Sequence, residues 1–162
     1  MGHDNHISQA TRRDLLIDAG RLAGGLGLLL TIAPVPVRAT PASMRAAMKK
    51  VVGEAYLRKG KVKLDLPPLI ENGNSVTMTV AVESPMTAAN HVRAIHVFNE
   101  KNPQPNVISI HLGPRAGRAA IATRIRLADS QKVIAVAEMS DGSFWSDETE
   151  VIVTLAACLE VL

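Results

Sequence analysis

The residues best suited to chemistry are one cysteine, a few histidines and a local group of arginines. Cys158 is the sole cysteine in 162 residues. It follows the apolar run Val151-Ile152-Val153-Thr154-Leu155 through Ala156 and Ala157. A lone cysteine has no internal disulfide partner. With a reference thiol pKa of about 8.5, a few per cent is thiolate near neutrality, which supports slow nucleophilic attack. The competing reading is a small buried hydrophobe at a strand end. Position argues for access, because chain ends fray and lie at the surface.

Past residue 39 the histidines are His91, His96 and His111. Strand parity puts His91 and His96 on opposite faces. No HxH or HxxxH spacing and no acidic cluster accompanies them, so the one metal set to consider is His91, His111 and Met86. The bland reading is three surface or loop histidines, and no metal or other cofactor is expected. Arg115, Arg118, Arg124 and Arg126 read either as a solvated strand face or as a field that attracts an anion. No G-x-S-x-G elbow, P-loop or G-x-G-x-x-G is present, so hydrolase and nucleotide chemistry lack support. The chain is expected not to be an enzyme.

The elements that must position these residues follow from periodicity. Residues 42–58 place Met44, Met48, Val51, Val52 and Ala55 on one helical face, and Gly60 is expected to end that helix. From Lys61 onward the period becomes two. Val62, Leu64 and Leu66 alternate with Lys61, Lys63 and Asp65 until Pro67-Pro68. Glu71-Asn72-Gly73-Asn74 reads as a turn. Val76 to Val82, Val92 to Phe98, Ile108 to Leu112 and Ile121 to Leu127 follow as strands. Lys132 to Glu138 is nearly all β-branched or alanine and is expected to be buried on both faces. Asp141-Gly142 signals a hairpin, and a last strand runs from Glu150 to Leu155. About seven strands after one helix predict an all-β, immunoglobulin-like antiparallel sandwich. It must hold by packing, without the inter-sheet disulfide.

Composition agrees. The hydrophobic fraction is 47% and the charged fraction 20%, which suits a globular domain and argues against disorder. Tyr56, Phe98, Phe144 and Trp145 are the only aromatics, too few for a single-stranded nucleic-acid binder.

The first 39 residues read as an export signal. Arg12 and Arg13 precede Leu15 and Leu16, and residues 22–33 carry no charge. Pro34 and Pro36 then break the segment, and Val37-Arg38-Ala39 offers small residues for cleavage after Ala39. The arginine pair points to the twin-arginine route and a periplasmic protein. The uncharged run is well short of the roughly 20 residues that a membrane span needs. The chain thus divides into a signal, 1–39, and one domain, 40–162. Removal of the signal takes away four arginines and three aspartates. The 14 basic and 12 acidic residues left give no reason to expect nucleic acid or membrane as a partner.

Longer phrases carry a family resemblance. Glu83-Ser84-Pro85-Met86-Thr87 follows the Asn-Gly turn. Ile95-His96-Val97-Phe98-Asn99-Glu100-Lys101-Asn102-Pro103, Thr123-Arg124-Ile125-Arg126-Leu127-Ala128 and Ala135-Val136-Ala137-Glu138-Met139-Ser140-Asp141-Gly142-Ser143 come next, with Val153-Thr154-Leu155 and Cys158 at the end. Across the whole of 40–162 the chain resembles SoxY, the sulfur-carrier family of the thiosulfate-oxidising Sox system. The resemblance implies a carrier whose cysteine, here Cys158, holds thiosulfate-derived intermediates covalently on a C-terminal arm. It implies a heterodimer with a SoxZ-like β-sandwich subunit. It also implies Sox enzymes that load, hydrolyse and oxidise the bound sulfur.

The ending departs from the family's pattern. The family flanks its cysteine with glycines, whereas this chain reads Ala156-Ala157-Cys158-Leu159-Glu160-Val161-Leu162. Alanine restricts φ where glycine does not. Three aliphatic side chains after the thiol are able to pin an arm to the sandwich. The alternatives are a non-catalytic binding subunit with a buried cysteine that has lost carrier function, and a periplasmic metal-binding domain.

Overall fold

The computed structural model describes residues 40–157. Residues 1–39, the expected signal with Arg12 and Arg13, and Cys158 with the tail after it, lie outside the described residues.

The first element of the described residues is a helix. α1 spans Pro41–Val52. Thr40 caps it: the Ser43 N–H donates to Thr40 Oγ1 at 3.2 Å, and the Thr40 N–H donates to Ser43 Oγ at 2.6 Å. Pro41 occupies the first turn, where its missing N–H costs nothing. The expected helix over 42–58 stops early, and Gly53 rather than Gly60 ends it. Gly53 sits at φ 64°, and its N–H donates to Lys49 O at 2.8 Å. Ala55, expected on the buried face, is therefore exposed in the loop that follows.

Among the described residues nine strands form two sheets. They are β1 (Leu57–Arg58), β2 (Val62–Asp65), β3 (Leu69–Asn72), β4 (Val76–Val82), β5 (Val92–Asn99), β6 (Asn106–His111), β7 (Ala119–Ile125), β8 (Gln131–Met139) and β9 (Phe144–Leu155). The larger sheet runs β1-β9-β8-β5-β6, with β3 also on β9; the smaller runs β2-β4-β7. All pairings are antiparallel except β1 with β9 and β3 with β9, which are parallel. The expected all-β sandwich led by a helix is thus the fold of the described residues, with two short parallel edges added.

Those edges come from one crossing segment. β1 pairs with the start of β9, the chain leaves as β2 for the other sheet, and β3 returns to pair Leu69, Ile70 and Asn72 with Ile152, Val153 and Leu155. Asp147 covers the gap between them: its Oδ2 accepts the Leu64 N–H at 2.8 Å. β9 extends through the polar stretch Ser146-Asp147-Glu148-Thr149 because β8 pairs with it continuously from Phe144 to Val151.

Two apolar layers hold the molecule together. Between the sheets lie Val62, Leu64, Val76, Met78, Val80, Ile121, Leu127, Ile95, Val97, Val133, Ala135 and Val151. On the outer face of the larger sheet, Met44 and Val52 of α1 pack against Phe98, Ile134, Val136 and Phe144. β8 is consequently covered on both faces, as its unbroken β-branched and alanine sequence implies.

Candidate functional site

The expected site residue, Cys158, is the first residue beyond the described chain, so the site is built from what fixes Ala157. β9 ends at Leu155, and three backbone hydrogen bonds close the structure after it. The Gly73 N–H donates to Leu155 O at 2.8 Å, the Leu127 N–H to Gly73 O at 2.9 Å, and the Ala157 N–H to Leu127 O at 3.0 Å. Ala157 is 1% exposed. The segment before the cysteine is therefore sewn into the sandwich as far as Ala157.

Gly73 makes this possible by having no side chain. A Cβ there would overlap Leu127 O, lie 2.9 Å from the Ala157 nitrogen and 3.1 Å from Val153 Cγ1. Three chain segments converge on it, from the β3–β4 turn, the residues after β7, and the end of β9. The Glu71-Asn72-Gly73-Asn74 cluster does turn the chain, with the Asn74 N–H donating to Asn72 Oδ1 at 2.9 Å. Its residues Glu71 and Asn72 also belong to β3, which the sequence pattern concealed because Ile70 is that strand's one buried residue.

The end of β9 is held on both sides. Thr154 Oγ1 donates to Glu71 O at 3.1 Å. The Val153 N–H donates to Ser130 Oγ at 2.9 Å, past the point where pairing with β8 stops. Leu69, Ile152 and Leu155 stay exposed, with Leu69 and Ile152 direct register partners.

Residues 126–128 run between this anchor and the β5–β6 loop. Leu127 bonds to Gly73 and Ala157 on one side. On the other, Asn102 Nδ2 donates to Arg126 O at 2.8 Å, and the Ala128 N–H donates to Asn102 Oδ1 at 3.0 Å. Beyond Asn102 opens a groove of about 620 Å³ between the edges of β6 and β7, lined among others by Gln104, Asn106, Thr123, Arg124 and Arg126. Arg115, Arg118, Arg124 and Arg126 are all exposed, and none forms an ion pair with a described residue. Arg115 sits in a 3-10 turn, Pro114–Ala116.

The histidines lie elsewhere. His96 is buried on β5, its Nδ1 2.8 Å from Ser109 Oγ, with His111 edge-on at 6.1 Å. Burial, followed by the nearby His111, holds its pKa below the ordinary histidine value, and Glu138 opposes the shift. His91 Nδ1 is 3.1 Å from Thr87 O, and Met86 Sδ accepts the Val92 N–H at 3.5 Å. Among the described residues no group of three or more His, Cys, Asp or Glu is placed to hold a metal ion. The sequence flagged Cys158 and the arginines; it missed Gly73, Leu127 and Ala157, whose role is carried by backbone atoms.

Residues 48–158 match the family described as sulfur oxidation protein SoxY. A search of curated proteins found no significant match. The sulfur carrier protein SoxY from Chlorobium limicola f thiosulfatophilum is similar in structure, with a TM-score of 0.59 and 24% identity over 70% of this chain and 98% of that one. A superoxide reductase (neelaredoxin) from Ignicoccus hospitalis gives 0.52 and 18%, over 72% and 95%. A putative superoxide reductase from Thermotoga maritima gives 0.51 and 18%, over 60% and 94%. At these identities the likeness is one of fold.

Proposed function

Because the chain belongs to the SoxY family of sulfur oxidation proteins, we propose that it is a carrier that holds sulfur covalently on Cys158 and presents it to separate enzymes. The observation that carries this reading is the family match itself, which runs through residue 158 and so includes the cysteine. The anchor at Ala157 supports it: the residue before the cysteine is buried and fixed, its N–H donating to Leu127 O.

The chemistry of such a carrier balances with help from partners. The Cys158 thiolate and a thiosulfate dianion join through a new sulfur–sulfur bond, and two electrons pass to an oxidising partner enzyme. Water then attacks the terminal sulfonate under a hydrolytic partner. Sulfate and protons leave, and a persulfide stays on Cys158. Covalent attachment keeps the intermediate from diffusing away between these steps.

The same reading includes export by the twin-arginine route from Arg12 and Arg13, a periplasmic location, and a SoxZ-like sandwich partner. Exposed Leu69, Ile152 and Leu155 beside the anchor supply apolar surface for docking proteins. The test is intact mass of the protein recovered from thiosulfate-oxidising cells. Sulfur-containing adducts confined to the C-terminal peptide support the carrier; an unmodified thiol under all conditions overturns it.

A further inference from the structure

From Lys101 to Ala128 the chain carries five cations and no carboxylate: Lys101, Arg115, Arg118, Arg124 and Arg126. Lys101 is paired with Asp129 at 3.0 Å. The four arginines are exposed and form no ion pair with a described residue. This stretch folds into β6, β7 and the segments beside them, so unneutralised positive charge is concentrated around two strands.

Those two strands are sheet edges. β6 ends the larger sheet and β7 the smaller one, and they do not pair with each other. Each therefore has one side whose amide and carbonyl groups lack a strand partner among the described residues. Edge strands are commonly guarded by a lysine, a proline or an inward charge. β6 reads Asn-Val-Ile-Ser-Ile-His and has none of these. Its six residues offer about 20 Å of open edge.

The groove of about 620 Å³ lies between these edges, with Val107 and Ile108 of β6 on one wall and Arg124 and Arg126 on the other. No acidic and no aromatic residue lines it. Stacking of nucleic-acid bases has no platform there, whereas a polypeptide backbone finds donors and acceptors at strand spacing.

We propose that this groove docks an extended, acidic segment of a partner protein, which adds to the β6 edge as a further strand. Main-chain pairing with β6 supplies affinity, and carboxylates at alternate positions of the segment meet Arg124 and Arg126 across the groove. The proposal goes beyond the carrier reading and uses no residue after Ala157.

The experiment titrates the full mature protein with a labelled peptide, Thr-Glu-Val-Glu-Val-Glu-Thr with blocked ends, at low ionic strength, and reads fluorescence anisotropy. Arg124→Gln and Arg126→Gln are each expected to weaken binding about two- to fivefold, the range for an exposed ion pair. Exposed Arg45→Gln, on α1, should leave it unchanged. The peptide with Gln for Glu should bind more weakly than the parent. The parent sequence methylated on every backbone nitrogen keeps its charge but loses its strand donors, and should not bind. Hydrogen exchange should show added protection at residues 106–111 with the parent peptide. No binding by the parent peptide, equal binding by the methylated one, or equal losses in Arg126→Gln and Arg45→Gln each overturn the site. An oligothymidylate that displaces the peptide and holds more tightly, with the same arginine dependence, overturns it in favour of nucleic acid.

Discussion

Gly73 and Ala157 meet with no room for a side chain between them: a Cβ on Gly73 would stand 2.9 Å from the Ala157 nitrogen. Eighty-odd residues of chain separate the two, and the contact fixes the residue that precedes the cysteine.

Gly73→Ala should therefore loosen the end of β9. Overpacking a buried site costs about 1–3 kcal/mol, and here the neighbours are backbone atoms that cannot rotate aside. The expected outcome is a lower thermal midpoint together with faster amide exchange at Ala157 and Leu127. Protection of those two amides equal to that in wild type would show that the three segments accommodate a methyl group.

Cys158→Ser should abolish loading by thiosulfate and leave the thermal midpoint unchanged. A serine oxygen cannot form the sulfur–sulfur bond, and the residue follows the last buried position of the described chain. A cysteine that is instead part of the core would reveal itself by a loss of about 1–3 kcal/mol on burying an unsatisfied hydroxyl. Mass spectrometry and a melting curve on the same sample separate the two.

His96 predicts a pH dependence with a definite sign. Its folded pKa lies below the ordinary value because burial disfavours the imidazolium. The unfolded chain then binds the proton more readily as pH falls below about 6.5. His96 should therefore cost no stability above that pH and lower it progressively on acidification, until the folded form also protonates. Melting at pH 7.5 and 5.5 in wild type and His96→Gln checks this: the acid-induced drop should be smaller in the variant.

Arg12→Lys combined with Arg13→Lys should leave the protein in the cytoplasm with its signal uncleaved, whereas the wild-type mature chain should start at Thr40. Fractionation with N-terminal sequencing reads both. Periplasmic recovery of the double variant at wild-type levels would rule out the twin-arginine route.

Periodicity alone made the sandwich legible, because alternation in Val76–Val82 or the unbroken apolar run of β8 reports local burial. The family phrases likewise made Cys158 a candidate before any coordinates. The end of α1 was harder, since Ala55 continues the apolar pattern while Gly53 at positive φ breaks the backbone. β3 was hidden because an edge strand with one buried residue shows no alternation. Where the cysteine segment is anchored was decided by tertiary structure only. Gly73, Leu127 and Ala157 are joined through main-chain N–H and C=O groups, which every non-proline residue carries. Only Gly73 bears a mark of that junction in its residue type, its missing Cβ; the junction itself exists only when three distant segments are brought within hydrogen-bonding distance.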